Sequence, residues 1–250
     1  MANQHKDSDA GLEPQARADL YRFLAAAYLG PLAPEAVHCI TGKDMLQELQ
    51  HIFGARAAGA LETLTAATGV ASNVDTLRRE YMDLFAVPSG RYVMPFEDIY
   101  RGGTAACKLG PLLGERAIAV RRLYREAGGE MDGDCKELPT HIGVELAFMG
   151  FLCDRESAAQ RGTTGASGVG IPHPSFYRDL QRRFMRDHLN VWFPPLSQAI
   201  QRQASSPLYR GLAQLTEVVL EWDTAEAWAL IGDQNLCGGS LAQVHAQGSP

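Results

Sequence analysis

Lys136-Glu137-Leu138-Pro139-Thr140-His141-Ile142-Gly143-Val144-Glu145-Leu146 combines a helix-start signal with polar groups that a plain core helix does not need. Proline is tolerated in a first helical turn, where its missing N–H has no intrahelical partner anyway, so the stretch predicts a helix starting near Pro139. From there Ile142, Leu146, Met149 and Leu152 or Cys153 recur at spacings of three and four, and Phe148 and Phe151 widen the apolar face. Such a stripe predicts a buried helix. Glu137, His141 and Glu145 fall at four-residue intervals beside it, a row of polar handles along the first two turns. His141 suits a cap or a hydrogen bond to either acid as well as a ligand contact.

Working outward, helical periodicity dominates and no alternating apolar–polar run is bounded by hairpin turns. The chain is expected to be all-α, a single compact bundle of about nine to eleven helices over residues 14–231, between a flexible N-terminus 1–13 and a flexible tail 232–250. Helices are predicted after Pro14 (ending at Gly30-Pro31), after Pro34, over 44–53, 59–68 and 74–85, and then over 112–127, 139–159, 175–189, 191–204 and 207–230. Trp192-Phe193-Pro194-Pro195 reads as a helix boundary whose aromatics lock to the bundle. Residues 86–110 break the pattern with interleaved proline, glycine and aromatics, which predicts an ordered aromatic loop. The Gly/Ser/Thr-rich run from Arg161 to Gly170 predicts a linker, with a possible hinge over 161–171.

The 250 residues are 46% hydrophobic, enough to bury a core without disulfides or metal. The net charge is −6 and no basic block occurs, which excludes a nucleic-acid partner. Five widely spaced cysteines, an odd number, point to a reducing compartment. Met1 to Glu13 lacks an apolar signal core, and the longest clean apolar run, Phe23 to Leu29, is too short for a membrane span. A cytoplasmic protein with no stable membrane insertion is expected.

Catalytic motifs are missing. The glycines of 162–170 follow a predicted helix and not a strand, and Gly102-Gly103-Thr104-Ala105-Ala106-Cys107-Lys108 lacks the spacing of a phosphate loop. There is no C-x-x-C and no H-E-x-x-H. No catalytic residue, metal or cofactor is assigned.

Binding is better supplied. Tyr81, Leu84 and Phe85, the loop aromatics Tyr92, Phe96 and Tyr100, and the helix start at Pro139 and His141 are expected to line one groove, with Glu97, Glu137 and Glu145 at its rim. Carboxylates so placed would pair with arginines. Taken singly, Tyr81, Leu84 and Phe85 fit core packing better than ligand contact, and the aromatics of Phe96-Glu97-Asp98-Ile99-Tyr100 either pin the loop or present it to a partner. Reversing Glu97 or Glu137 to lysine is expected to weaken binding and leave the helical content unchanged.

Glu137, Pro139, His141 and Ile142 resemble the Glu-Pro-x-Asp-His type motif of the TorD/DmsD/NarJ family of cytoplasmic chaperones for molybdenum-cofactor oxidoreductases. Thr140 stands where that family has an acid, and Leu138 separates the glutamate from the proline. Glu80-Tyr81-Met82-Asp83-Leu84-Phe85 with Met94-Pro95-Phe96-Glu97-Asp98-Ile99-Tyr100, and His188 to Leu196, extend the resemblance over residues 80–196. It implies a TorD-like helical fold that binds the twin-arginine leader at the N-terminus of the catalytic subunit of a dimethyl-sulfoxide-reductase-type molybdoenzyme. The chaperone would hold that subunit until cofactor insertion and assembly are complete, and so prevent premature export. A monomer or a domain-swapped dimer is compatible with the resemblance. The alternatives are a small helical enzyme built on His141, Glu137 and Glu145, and an assembly subunit docked permanently through its aromatic loop.

Overall fold

Proline opens four of the helices. In the computed structural model, which describes residues 12–69, 73–88, 90–101, 112–131, 135–162 and 172–237, α1 (Pro14–Leu29), α2 (Pro34–Thr41), α9 (Pro174–Phe184) and α11 (Pro207–Cys237) all start on one. Side chains are described as far as Glu226, that of Val74 excepted. Between these run α3 (Lys43–Phe53), a 3₁₀ turn (Gly54–Ala57), α4 (Ala58–Ala66), α5 (Val74–Tyr81) with a π turn (Met82–Ala86), α6 (Glu97–Arg101), α7 (Glu115–Glu126) and α8 (Ile142–Gln160). After α9 a second π turn (Met185–Leu189) leads into α10 (Asn190–Gln203). The fold is all-α: among the described residues the one extended pairing is an isolated antiparallel bridge between Phe96 and His141.

α8 is the axis of the bundle. Ile142, Leu146, Met149, Leu152 and Cys153 are fully buried, as the spacing of three and four requires. Against them lies α1, close because α8 offers glycine at the contact: a Cβ on Gly143 would come within 2.5 Å of Leu29 Cγ and 3.0 Å of the Ala25 carbonyl. α11 approaches α4 through Gly211 in the same way, where an added Cβ would meet Leu64 at 2.8 Å. Trp192 and Phe193 of α10 are fully buried, each such side chain contributing roughly 1.5–3 kcal/mol.

A second, polar element ties four helices together. Arg17 of α1 pairs with Asp223 of α11 at 2.8 Å and with Glu156 of α8 at 3.5 Å. Glu156 also takes Arg178 at 2.6 Å and the Gln181 amide at 2.9 Å, both from α9, and the Tyr21 hydroxyl donates to Asp223 at 2.6 Å. Every charge there has its partner.

Several boundaries differ from the periodicity. α8 begins at Ile142 and not near Pro139, because Pro139 and Thr140 form a turn and His141 is the N-cap. Glu137 and His141 therefore precede the helix instead of standing in a row on its face. Part of the expected aromatic loop is the short helix α6. Pro194 and Pro195 lie inside α10, so Trp192 to Pro195 is not a helix boundary, although its aromatics do lock to the core. α11 continues past Gly232 to Cys237, so the helix enters the segment expected to be a flexible tail. Residues 1–11, most of the expected hinge (163–171) and residues 238–250 lie outside the described residues. No helix among the described residues is long and apolar enough to cross a membrane.

Candidate functional site

Two short segments distant in sequence meet at the start of α8. Glu97 N–H donates to the Thr140 carbonyl and Ile142 N–H to the Pro95 carbonyl, both at 2.9 Å, which makes the bridge between Phe96 and His141. The Phe96 ring stands edge-on to the imidazole, with centroids 5.3 Å apart. Thr140 Oγ1 donates to Asp98 Oδ2 at 2.7 Å. A hydroxyl at position 140 supplies a proton that an acid, facing Asp98, would not. Pro139 is buried, its carbonyl accepting from the Tyr124 hydroxyl at 2.8 Å.

His141 is held as a cap. Its backbone is extended, and Nδ1 accepts the Gly143 N–H at 3.0 Å, satisfying one of the free donors of the first helical turn. That bond places the ring proton on Nε2, which faces Glu137 Oε2 at 4.0 Å, an electrostatic contact longer than a hydrogen bond. Burial pushes the His141 pKa down to about 4, so the ring is neutral at pH 7.

Below this pair lies an acid-rich floor. Glu97, fully buried, accepts from Arg101 at 2.6 Å and pairs with His188 Nδ1 at 2.8 Å. Glu145, also fully buried, accepts the Trp192 indole N–H at 2.9 Å. These two acids are therefore not at a rim, because α10 and the π turn before it close over them. Of the three expected rim acids, Glu137 alone is open, with 41% of its side chain exposed.

The expected aromatic wall divides likewise. Tyr81, Leu84 and Phe85 are buried, the Tyr81 hydroxyl donating to the Tyr28 carbonyl at 3.0 Å and the rings packing with Tyr28 and Tyr209. They support the site from behind, and Val93 N–H donating to the Leu84 carbonyl at 2.8 Å fixes the loop to them. Tyr92, Met94, Phe96 and Tyr100 are half-buried. Burial first and then the charge of Glu137 raise the Tyr92 hydroxyl above its ordinary range and push that of Tyr81 up to about 12. Both tyrosines therefore lie within electrostatic reach of Glu137. Tyr100 packs on Trp192 at 5.7 Å, and its hydroxyl, pushed up to about 12 by burial, feels the exposed Arg202 in the opposite sense.

The surface so formed is aromatic, carries one open acid and rests on helices. On the other flank of the α8 start an apolar cleft of about 230 Å³ is lined by Leu29, Tyr124, Met131, Val144, Phe148 and Phe151 among others. Among the described residues no group of three His, Cys, Asp or Glu side chains is arranged to hold a metal. Sequence reasoning missed Arg101, His188 and Trp192 as partners of the acids. Two signals were present: Arg101 follows Glu97 by one helical turn, and Trp192 follows His188 by one.

Residues 52–198 match the protein family described as nitrate reductase delta subunit. Three similar proteins carry assembly names. A selenate reductase assembly chaperone protein from Thauera selenatis is 27% identical over 175 residues, 68% of this chain and 82% of that protein. A chlorate reductase assembly chaperone protein from Ideonella dechloratans is 28% identical over 147 residues, 57% of this chain and 68% of its own. A perchlorate reductase assembly chaperone protein from Dechloromonas aromatica (strain RCB) is 27% identical over 100 residues, 40% and 41% of the two chains. The matched span holds both segments of the bridged pair together with His188 and Trp192, which cover its acids, and on that match this chain belongs to the nitrate reductase delta subunit family.

Proposed function

We propose that this protein is an assembly chaperone for the catalytic subunit of a dimethyl-sulfoxide-reductase-type molybdoenzyme, acting in the cytoplasm on the subunit's N-terminal twin-arginine leader. The observation that carries this reading is the half-buried aromatic surface of Tyr92, Phe96 and Tyr100 with the open carboxylate of Glu137 beside it. Aromatic area takes the apolar part of a leader and the acid takes an arginine. Micromolar affinity needs about 8 kcal/mol, within reach of a few buried anchors plus one charge pair. The names of the similar proteins point the same way.

Binding is the whole mechanism. A leader lying on this surface is hidden from the export machinery, and the scaffold beneath it is already folded, so little ordering cost falls on the chaperone. The reading of His141, Glu137 and Glu145 as an enzymatic centre has less support. His141 Nδ1 is occupied by the helix cap, and Glu145 is sealed beneath α10.

Calorimetry with the leader of the molybdoenzyme encoded beside this gene, and with its Arg-Arg pair changed to Ala-Ala, tests the proposal. Micromolar binding, weakened in the control and in Glu137→Lys, is expected. No binding to the leader or to the full apo-subunit sinks it.

A further inference from the structure

We infer that Glu145 keeps a proton in the folded protein and donates it to Glu97, so that the two carboxyls latch the Pro95–Asp98 segment to the segment that opens α8. Both side chains are fully buried. Glu145 Oε2 accepts from Trp192, whereas Oε1 has no hydrogen-bond partner. An ionised carboxylate only accepts, and one buried with a single neutral donor carries a large desolvation penalty. Glu97 is placed differently: Arg101 and His188 take its two oxygens, which makes it the ionised member. The Glu97 side chain lies within hydrogen-bonding reach of Glu145, so a proton on Glu145 turns its orphan oxygen into a donor to that carboxylate.

The surroundings agree. Glu145 faces Glu97 and Asp98 from α6, the Tyr124 hydroxyl from α7 and the Trp192 indole from α10. Arg101 and His188 act on it through Glu97. Asp98 is engaged by Thr140. Burial and then the charge of Glu97 push the Glu145 carboxyl well above its ordinary range, with the Trp192 bond opposing in part.

Glu97 opens α6, and Glu145 lies one turn into α8, on the far side of the two backbone bonds of the bridge. Ionising Glu145 places like charges on the two segments that those bonds join. Phe96 and Tyr100 ride on one segment and Glu137 precedes the other, so Glu145 is a positioning residue for the surface above it. Its consequence for a leader rests on the function proposed above.

Denaturant unfolding of the full chain and of Glu145→Gln from about pH 4.5 to about pH 9 decides the proton. Glutamine keeps an acceptor for Trp192 and offers an N–H to Glu97. A proton held in the fold is lost by the unfolded chain above its ordinary pKa of 4.5, so wild type loses stability as pH rises, until Glu145 ionises in the fold. The unfolding constant of wild type relative to the variant is expected to climb by up to about tenfold per pH unit. A ratio that is flat across the range overturns the inference.

Should the variant not fold, the infrared spectrum of the wild type serves. Glu217 of α11 is a second carboxyl that burial raises above its ordinary range, so a neutral carboxylic acid band at about pH 8 that survives in Glu217→Gln supports the proton, and its absence overturns it. Leader affinity measured across the same range separates the two ideas. An identical pH profile for wild type and Glu145→Gln removes the latch and leaves the chaperone reading standing. Binding to neither at any pH removes the chaperone reading, while the unfolding ratio still decides the proton.

Discussion

Two buried polar regions of this bundle follow opposite rules. Around Arg17 the charges balance, two arginines (Arg17 and Arg178) against two acids (Glu156 and Asp223), with Gln181 and Tyr21 adding bonds and Arg17 Nε the one buried atom of the set without a hydrogen-bond partner. Around Glu145 they do not among the described residues: of Glu97, Asp98 and Glu145, Glu97 has an arginine partner, Arg101, and the remaining bonds go to His188, Thr140 and Trp192. A balanced network fixes helices to one another. An acid-rich one leaves an oxygen without a partner and makes the packing of two loops depend on a proton. The first region joins α1, α8, α9 and α11, while the second lies beneath the half-buried aromatics.

The comparison breaks most readily at Arg17. Arg17→Ala leaves Asp223 and Glu156 short of their shared cation, and a loss of about 3–5 kcal/mol is expected in denaturant unfolding. A loss below about 1 kcal/mol would show that water replaces the guanidinium and that the balanced region is not a buried network at all.

Glu97→Lys and Glu137→Lys, alike in sequence terms, are expected to part company. A lysine at position 97 buries a cation beside Arg101 and His188, costing about 3–5 kcal/mol, visible as a lowered midpoint and altered near-ultraviolet circular dichroism. To the expected loss of binding at unchanged helical content, the burial of Glu97 adds a cost in stability.

His141 sharpens the contrast through pH. Its pKa is depressed from 6.5 to about 4, so the folded form resists a proton that the unfolded chain accepts. The stability is present above pH 6.5 and is lost as pH falls toward 4, by roughly 3 kcal/mol. Glu145 acts in the opposite sense, holding a proton that the unfolded chain loses above 4.5. His141→Asn keeps a capping oxygen and should remove the acid-side loss, so that wild type loses stability relative to the variant as pH drops from about 7 to about 4. Parallel profiles would mean that the ring is protonated in the fold.

The smallest effect on stability belongs to Glu137→Lys, expected within about 0.5 kcal/mol because the side chain is half open to solvent. Leader affinity should nonetheless fall by several-fold, the loss of one exposed ion pair plus some repulsion. Unchanged affinity removes Glu137 from the site.

Much of this was legible in the chain. The period of Ile142, Leu146, Met149 and Leu152 is the face that α8 buries, and Pro14, Pro34, Pro174 and Pro207 begin helices. The pairing of Glu97 with its neighbours was not, since a carboxylate beside an apolar stripe reads the same whether it ends at a rim or under a lid. His141 was half legible, since a cap is among its expected roles. Its spacing from Glu137 and Glu145 matched a helical face, yet the turn at Pro139 and Thr140, fixed by bonds to Pro95, Glu97 and Asp98, moved it to a cap.

Sequence by itself determined the helical class and most of the core, because apolar spacing and proline act over a few residues and need no distant partner. Only the tertiary structure decided which acids meet solvent and which share a proton. That choice depends on α10 closing over Glu97 and Glu145 and leaving Glu137 outside, a matter of burial and dielectric set by contacts between segments dozens of residues apart.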